Sequence, residues 1–310
     1  MGRRTGLGAT WRRSASRRIS KSVTAYSDSP AIRLLTAADL RGALALTREA
    51  RWNQDEADWR LMLQAGRAFG VERQGRLVAT GLALPYRSGR FGWISMILVT
   101  AEQRRLGLAT AMMQRCLATL EGTGLTAVLD ATPEGRAIYL PLGFVDCWGL
   151  RRYLLREPVA PVPPPKGVTV RAMAISDLPA VTDYDAAAFG ASRAGILANL
   201  FARAPRLRHV AEREGELVGY ALGRDGHAAL HLGPVAAEDQ GIGIALASAA
   251  LAEAPRPVYL DALEARSDFL AWLEARGAAF ERPYTRMKRG AAPLPGEPDR
   301  LMTVAGPELG

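Results

Sequence analysis

Residues 157–167 read EPVAPVPPPKG, with Pro158, Pro161, Pro163, Pro164 and Pro165. Proline has no N–H to donate and a fixed φ, so this run suits neither a helix interior nor a central strand. It reads as a stiff, extended spacer. It divides a chain of 310 residues into two pieces, each within the usual ~100–200 residues of one domain.

The two pieces echo each other. Arg33, five residues, then Asp39-Leu40 recurs as Arg171, five residues, then Asp177-Leu178. Gly75-Arg-Leu-Val recurs as Gly215-Glu-Leu-Val, Val99 as Val235, and Leu129-Asp130-Ala131 as Leu260-Asp261-Ala262. Four matches in one order, at a slowly drifting offset, argue for a duplicated unit. The expected division is an arm at 1–30, a first unit at 31–156, the linker at 157–167, a second unit at 168–289 and a tail at 290–310.

Composition narrows the class. Apolar residues make up 48% of the chain, enough for real cores. No apolar run reaches the ~18–20 residues of a membrane-spanning helix. The net charge of +9 is uneven: Arg3, Arg4, Arg12, Arg13, Arg17, Arg18 and Lys21, against Asp28 alone, put most of it in the first 30 residues. That arm suits a disordered tail, a nucleic-acid-touching arm or an organellar transit peptide. The body is close to neutral, and nothing in it matches a known nucleic-acid module. Cys116 and Cys147 are the only cysteines, with no CxxC pair or Cys/His cluster. No metal site is expected from them, and a reducing, cytoplasmic compartment is the simpler reading. Oligomeric state is not legible.

Within the first unit, Ile32–Leu35 reads as a strand, and Thr36 opens a helix to about Glu49 with Asp39 in its first turn. A helix follows over Asp55–Gln64. Strands are expected at Phe69–Arg73, Leu77–Leu84 and Gly92–Val99, then a helix over Ala109–Leu120. The unit closes with a strand at Thr126–Ala131, a short helix at Glu134–Leu140 and a strand from Phe144, extending as far as Arg156. This is an α/β (α+β) order with several antiparallel-compatible strands.

The chemistry concentrates between Val99 and Thr110. An apolar strand ends, a polar loop follows, and a helix begins. Helix N-termini expose N–H groups and a partial positive charge that favour a phosphate. Gly107 lets a ligand oxygen approach the backbone, Ala109 is nearly as small, and Arg104 and Arg105 add charge. A plain β–α turn is the competing reading. The pattern returns in the second unit at Gln240-Gly-Ile-Gly243-Ile-Ala245. No Lys-Ser/Thr follows the glycine, so it is not a P-loop.

Arg104-Arg-Leu-Gly107-Leu-Ala109, followed by Tyr139-Leu-Pro-Leu-Gly143-Phe144, resembles the signature of the Gcn5-related N-acetyltransferase (GNAT) family. The resemblance covers about residues 31–155 well and 168–289 more weakly. The whole is similar to the tandem subgroup, with a degenerate second domain. It implies two GNAT-like domains, each a mixed, mostly antiparallel sheet flanked by helices. It also implies acetyl transfer from acetyl-CoA, as co-substrate, to a primary amine of a small molecule or peptide. The pyrophosphate would lie on Arg104, Arg105, Leu106, Gly107, Leu108, Ala109 and Thr110. The pantetheine would pair with the strand edge Ile97-Leu98-Val99, through Ile97 and Val99, as an added strand does.

By the same resemblance Tyr139 is the acid for the departing thiolate, since its pKa of ~10 lies near that of a thiol. Its bland alternative is a core aromatic. The family often uses a Glu on the fourth strand as the general base, and this chain departs there: Ser95 is the only polar side chain from Phe91 to Val99. The base is then expected from Asp130, from an acid in Asp55–Asp58, or from water, with Asp130 otherwise bracing a loop. Trp52 and Trp59 either line an acceptor pocket or, as the favoured reading, pack half-buried in the core. In the second unit Trp272 or Phe269 stands where Tyr is expected, Asp239 opposes a phosphate, and His227 and His231 share a strand face, as a base or, the favoured reading, simply as its polar side chains. That unit is expected to wall the acceptor cleft. A non-catalytic acyl-CoA-binding protein is the competing reading.

Overall fold

A computed structural model of the chain describes residues 1–2 and 30–310. The basic arm expected at 1–30 falls almost wholly outside them. The first half runs β1 (Ile32–Leu34), α1 (Leu40–Glu49), α2 (Glu56–Ala65), β2 (Arg67–Arg73), β3 (Arg76–Tyr86), β4 (Phe91–Val99), α3 (Leu108–Glu121), β5 (Thr126–Ala131), α4 (Pro133–Tyr139) and β6 (Phe144–Leu155). The second half repeats it: β7 (Val168–Ala172), α5 (Leu178–Phe189), α6 (Ala194–Arg203), β8 (His209–Arg213), β9 (Glu216–Arg224), β10 (Leu230–Ala237), α7 (Gln240–Glu253), β11 (Val258–Leu263), α8 (Ser267–Ala275) and β12 (Ala279–Arg289). A short β13 (Leu301–Thr303) follows.

Local chemistry explains these boundaries. Thr36 and Asp39 form a reciprocal cap at one 3-10 turn that runs into α1. Asp55 and Asp58 do the same for α2, at 2.9 and 3.0 Å. The repeated Arg…Asp spacing also has a physical cause. Arg33 on β1 clamps Asp39 and Glu72, and Arg171 on β7 clamps Asp177 and Glu212. In each half one guanidinium ties the first strand to the helix start and to the second strand.

The mixed, mostly antiparallel sheets of the two halves are continuous. Among the described residues thirteen strands run in the order β1-β2-β3-β4-β5-β12-β6-β11-β13-β10-β9-β8-β7. The halves exchange their sixth strands: β12 pairs antiparallel with β5, and β6 pairs antiparallel with β11. The two exchanged strands then pair with each other at the centre. Each exchange is locked by one buried ion pair, Asp130–Arg286 across β5 and β12 and Asp261–Arg152 across β11 and β6. These acids are the LDA repeats of the sequence.

The halves also share a core. Phe189 of α5 packs its ring on Tyr86, Phe91 and Trp93, at centroid distances of 4.9, 5.3 and 6.3 Å. The proline run carries no regular element, as its composition dictates. It is packed down, with Val159 buried and the Val162 amide donating to Ser248 Oγ at 2.8 Å.

Candidate active site

β4 and β5 are parallel and pair only over Phe91–Trp93 against Thr126–Val128. Beyond Trp93 they part. The β3–β4 register shifts between Thr80 and Leu82, and Met96 takes φ +52°, a bulge held by Thr80 Oγ1 donating to Met96 O at 2.8 Å. A cavity of about 620 Å³ fills the opening. It is lined by Ile97, Leu98 and Val99 on one side, and by Arg104, Arg105, Gly107, Leu108, Ala109 and Thr110 at its outer end. Leu106, expected in the same set, is not part of the lining and is 58% exposed.

The outer end is the N-terminus of α3. Its cap residue, Gly107, sits at φ +79° and offers no side-chain cap. The first-turn N–H groups therefore have no intrahelical partner. A Cβ built on Gly107 would meet nothing within 4 Å, so only glycine keeps both this backbone shape and this space. The preceding loop is braced by Glu49, which accepts from Ala101 N at 2.6 Å and Thr100 Oγ1 at 2.8 Å. The Ala101 amide foremost holds that carboxyl below its usual range.

Tyr139 and Asp130 both line the cavity, and they differ in what they are free to do. Tyr139 ends α4, half-buried, with its ring 5.9 Å from that of Phe144. Burial, and then the neighbouring Cys116, push its hydroxyl up to about 12, so it keeps its proton at neutral pH. The Asp130 side chain is wholly buried, and both its oxygens accept from Arg286 at 2.8 Å. That guanidinium is itself sandwiched between Trp93 and Trp148, at 4.4 and 4.1 Å. A base at Asp130 would have to break this pair, so the geometry favours the bracing alternative. The acids of Asp55–Asp58 are also engaged: Asp55 binds Arg203, Glu56 binds Arg60, and Asp58 binds Arg203 and Arg224. Trp59 is in the core, its Nε1 donating to Thr47 Oγ1 at 2.9 Å, while Trp52 lines the cavity.

Sequence reasoning missed the last segment. Pro307 and Glu308 line the same cavity. Trp93 Nε1 donates to Pro307 O at 2.9 Å, Ser95 Oγ to Glu308 O at 3.1 Å and Tyr86 Oη to Leu309 O at 2.5 Å. Arg193 donates to Gly310 O at 2.5 Å. The partners lie more than 100 residues away, and AGPELG carries no local signal for them.

The corresponding opening in the second half is closed. β10 and β11 pair over Leu230–His231 against Val258–Tyr259 and then part, but β13 lies between them, antiparallel to both. At the start of α7, Asp239 Oδ1 accepts from Ile242 N at 2.8 Å, so the helix is capped by its own anion. A Cβ on Gly243 would stand 2.4 Å from Met302 Cγ. His231 is buried, its Nε2 3.0 Å from Asp261.

Two family models, each described as an acetyltransferase (GNAT) domain, match residues 31–145 and 181–303. The chain is 28% identical over 222 residues to the uncharacterised N-acetyltransferase YitH of Bacillus subtilis, covering 71% of this chain and 77% of that protein. Among solved structures, a Pyrococcus horikoshii protein put forward as an acetyltransferase superposes with a TM-score of 0.74 at 20% identity, over 90% of this chain and 95% of that one. A tandem GNAT protein from the clavulanic acid biosynthesis pathway gives 0.60 at 18% identity, over 84% and 98%.

Proposed function

The chain belongs to the GNAT family of acetyltransferases, with two GNAT domains in tandem, and from that premise we propose that its first half moves an acetyl group from acetyl-CoA to a primary amine. The observation that carries the reading is the cavity between β4 and β5, which runs from the bulge at Met96 to the α3 N-terminus. On this reading the amides from Arg104 to Thr110 hold the pyrophosphate, with Leu106 contributing backbone only. The free edge at Ile97 and Val99 pairs with the pantetheine amides.

The chemistry asked of the chain is modest. The amine nitrogen forms a bond to the acyl carbon, the carbon–sulfur bond breaks, and the leaving thiolate takes a proton from the Tyr139 hydroxyl. The proton left on the new amide nitrogen departs to solvent, and the Tyr139 phenolate regains a proton from solvent before the next turnover. A burial-raised hydroxyl suits this, because it arrives at the step still protonated. The second half is read as a wall, since β13 and Asp239 occupy the places of pantetheine and pyrophosphate.

Calorimetry with acetyl-CoA, followed by thiol release against amino acids, polyamines, aminoglycosides and peptides, tests the reading. One coenzyme per chain and release with at least one amine are expected. Two per chain would reopen the second slot. Binding without release on any amine would instead favour a non-catalytic acyl-CoA binder.

A further inference from the structure

β4 carries no acid, so the acids that reach the cavity come from elsewhere: Glu49, Asp130, Glu134 and Glu308. Glu49 braces the loop at Thr100 and Ala101, Asp130 is held at both oxygens by Arg286, and Glu134 is exposed on α4. Glu308 remains. Its main chain is tied to Ser95 over the middle of β4, and its side chain is only 2% exposed. Its Oε2 accepts from Gln54 Nε2 at 2.8 Å, and its Oε1 from Arg224.

Gln54 supplies the second, independent observation. It is buried, it lines the cavity, and its Oε1 has no donor among the described residues. The amide orientation follows from its partner, because an ionised carboxylate only accepts and must face the NH₂. A buried acceptor left unpaired is costly, and it is tolerated where a ligand brings the donor. The surrounding charges point the same way. Asp55, Asp58, Asp225 and Glu308 share two guanidiniums, Arg203 and Arg224. The cluster is therefore two negative charges in excess.

We propose that Gln54 and Glu308 form the subsite for the acceptor's amine, so that the acceptor is recognised as a cationic, N–H-rich group. This rests on the acetyl-transfer reading above. A primary ammonium carries three N–H donors and one positive charge; Gln54 Oε1 takes one donor and the Glu308 carboxylate supplies the counter-charge, and the ammonium gives up one proton to solvent before its nitrogen attacks the acyl carbon. The subsite is complete only when the final segment is in place. β13 docks in the slot of the second half, and the six residues after Val304 then carry Glu308 into the first.

The test uses the full chain with Glu308→Gln and, separately, Gln54→Leu, which removes the orphan acceptor without adding one. The probe is whichever amine of the panel the parent acetylates fastest. Each variant should raise KM for that amine roughly tenfold or more, with kcat and acetyl-CoA affinity near the parent's. Should Glu308→Gln fail to fold, Gln54→Leu alone decides. Parent-like KM in the folded variants overturns this subsite and leaves the acetyl-transfer reading standing. Loss of acetyl-CoA binding by the parent itself overturns that reading instead. Coenzyme binding with no amine turned over overturns the cationic acceptor.

Discussion

The Asp130 carboxylate and the Arg286 guanidinium share two hydrogen bonds of 2.8 Å across 156 residues of chain. Asp261 and Arg152 repeat the arrangement at 2.8 and 2.7 Å across 109 residues. Each pair crosses a junction where one half has lent a strand to the other. Neither half completes its own sheet, and the acid that lines the candidate site also holds the halves together.

Asp130→Asn should therefore act on stability before chemistry. It leaves Arg286 buried beside a neutral amide, and breaking a buried pair costs about 3–5 kcal/mol. Urea unfolding measures this. A loss below about 1 kcal/mol would contradict the bracing role, and a selective fall in turnover at unchanged stability would restore Asp130 as a base.

The two loop glycines should respond differently. Gly107→Glu puts a strained, charged side chain into the space at the α3 N-terminus, and calorimetry should register no acetyl-CoA binding with the fold intact. Gly243→Ala drives a Cβ towards Met302 and should cost about 1–3 kcal/mol of stability with acetyl-CoA affinity unchanged. Equal effects on coenzyme binding would mean that both slots are used.

Tyr139→Phe should lower turnover by about 10²-fold with near-normal coenzyme affinity. The hydroxyl is pushed up to about 12, so its acid form persists well above neutrality and is lost only as pH approaches that value. The parent's rate should show no alkaline fall from this group below pH ~10. A limb between pH 7 and 9 that vanishes in the variant would argue against it.

Acid sensitivity should trace to the repeated clamps. Arg33 and Arg171 hold Asp39 and Asp177 below the usual carboxylate range. At Asp261 burial opposes ionisation, yet Arg152 and His231 together keep the carboxyl well below that range. A depressed folded-state pKa adds stability above the unfolded value of ~3.9 and loses it as pH falls through the folded one. The urea midpoint should thus hold down to about pH 5 and drop below about pH 4. Asp177→Asn should be less stable at pH 7 and lose less between pH 4 and 3; parallel curves would rule out this source.

Much of the local structure was legible. Thr36 with Asp39, Asp55 at the start of α2, the turn at Gly75 and the start of α3 after Gly107 depend on bonds within a few residues. Cap and turn chemistry acts at that range. The Arg33 and Arg171 spacings were legible as a repeat, though not as the clamps they are. For Asp130 both a base and a brace were legible, and the pair that favours the brace was not, because its partner lies on a strand of the other half.

The amino-acid sequence by itself thus determined two α/β units of one plan, the element order of the first and the glycine turn at the head of α3. Tertiary structure alone decided that β12 completes the first sheet, that β13 closes the second slot and that Glu308 reaches Ser95. The physical reason is that an open strand edge accepts any compatible backbone. Which distant segment fills it depends on packing and on buried charges such as Arg286 and Arg224, and no short window of residues contains both members of those pairs.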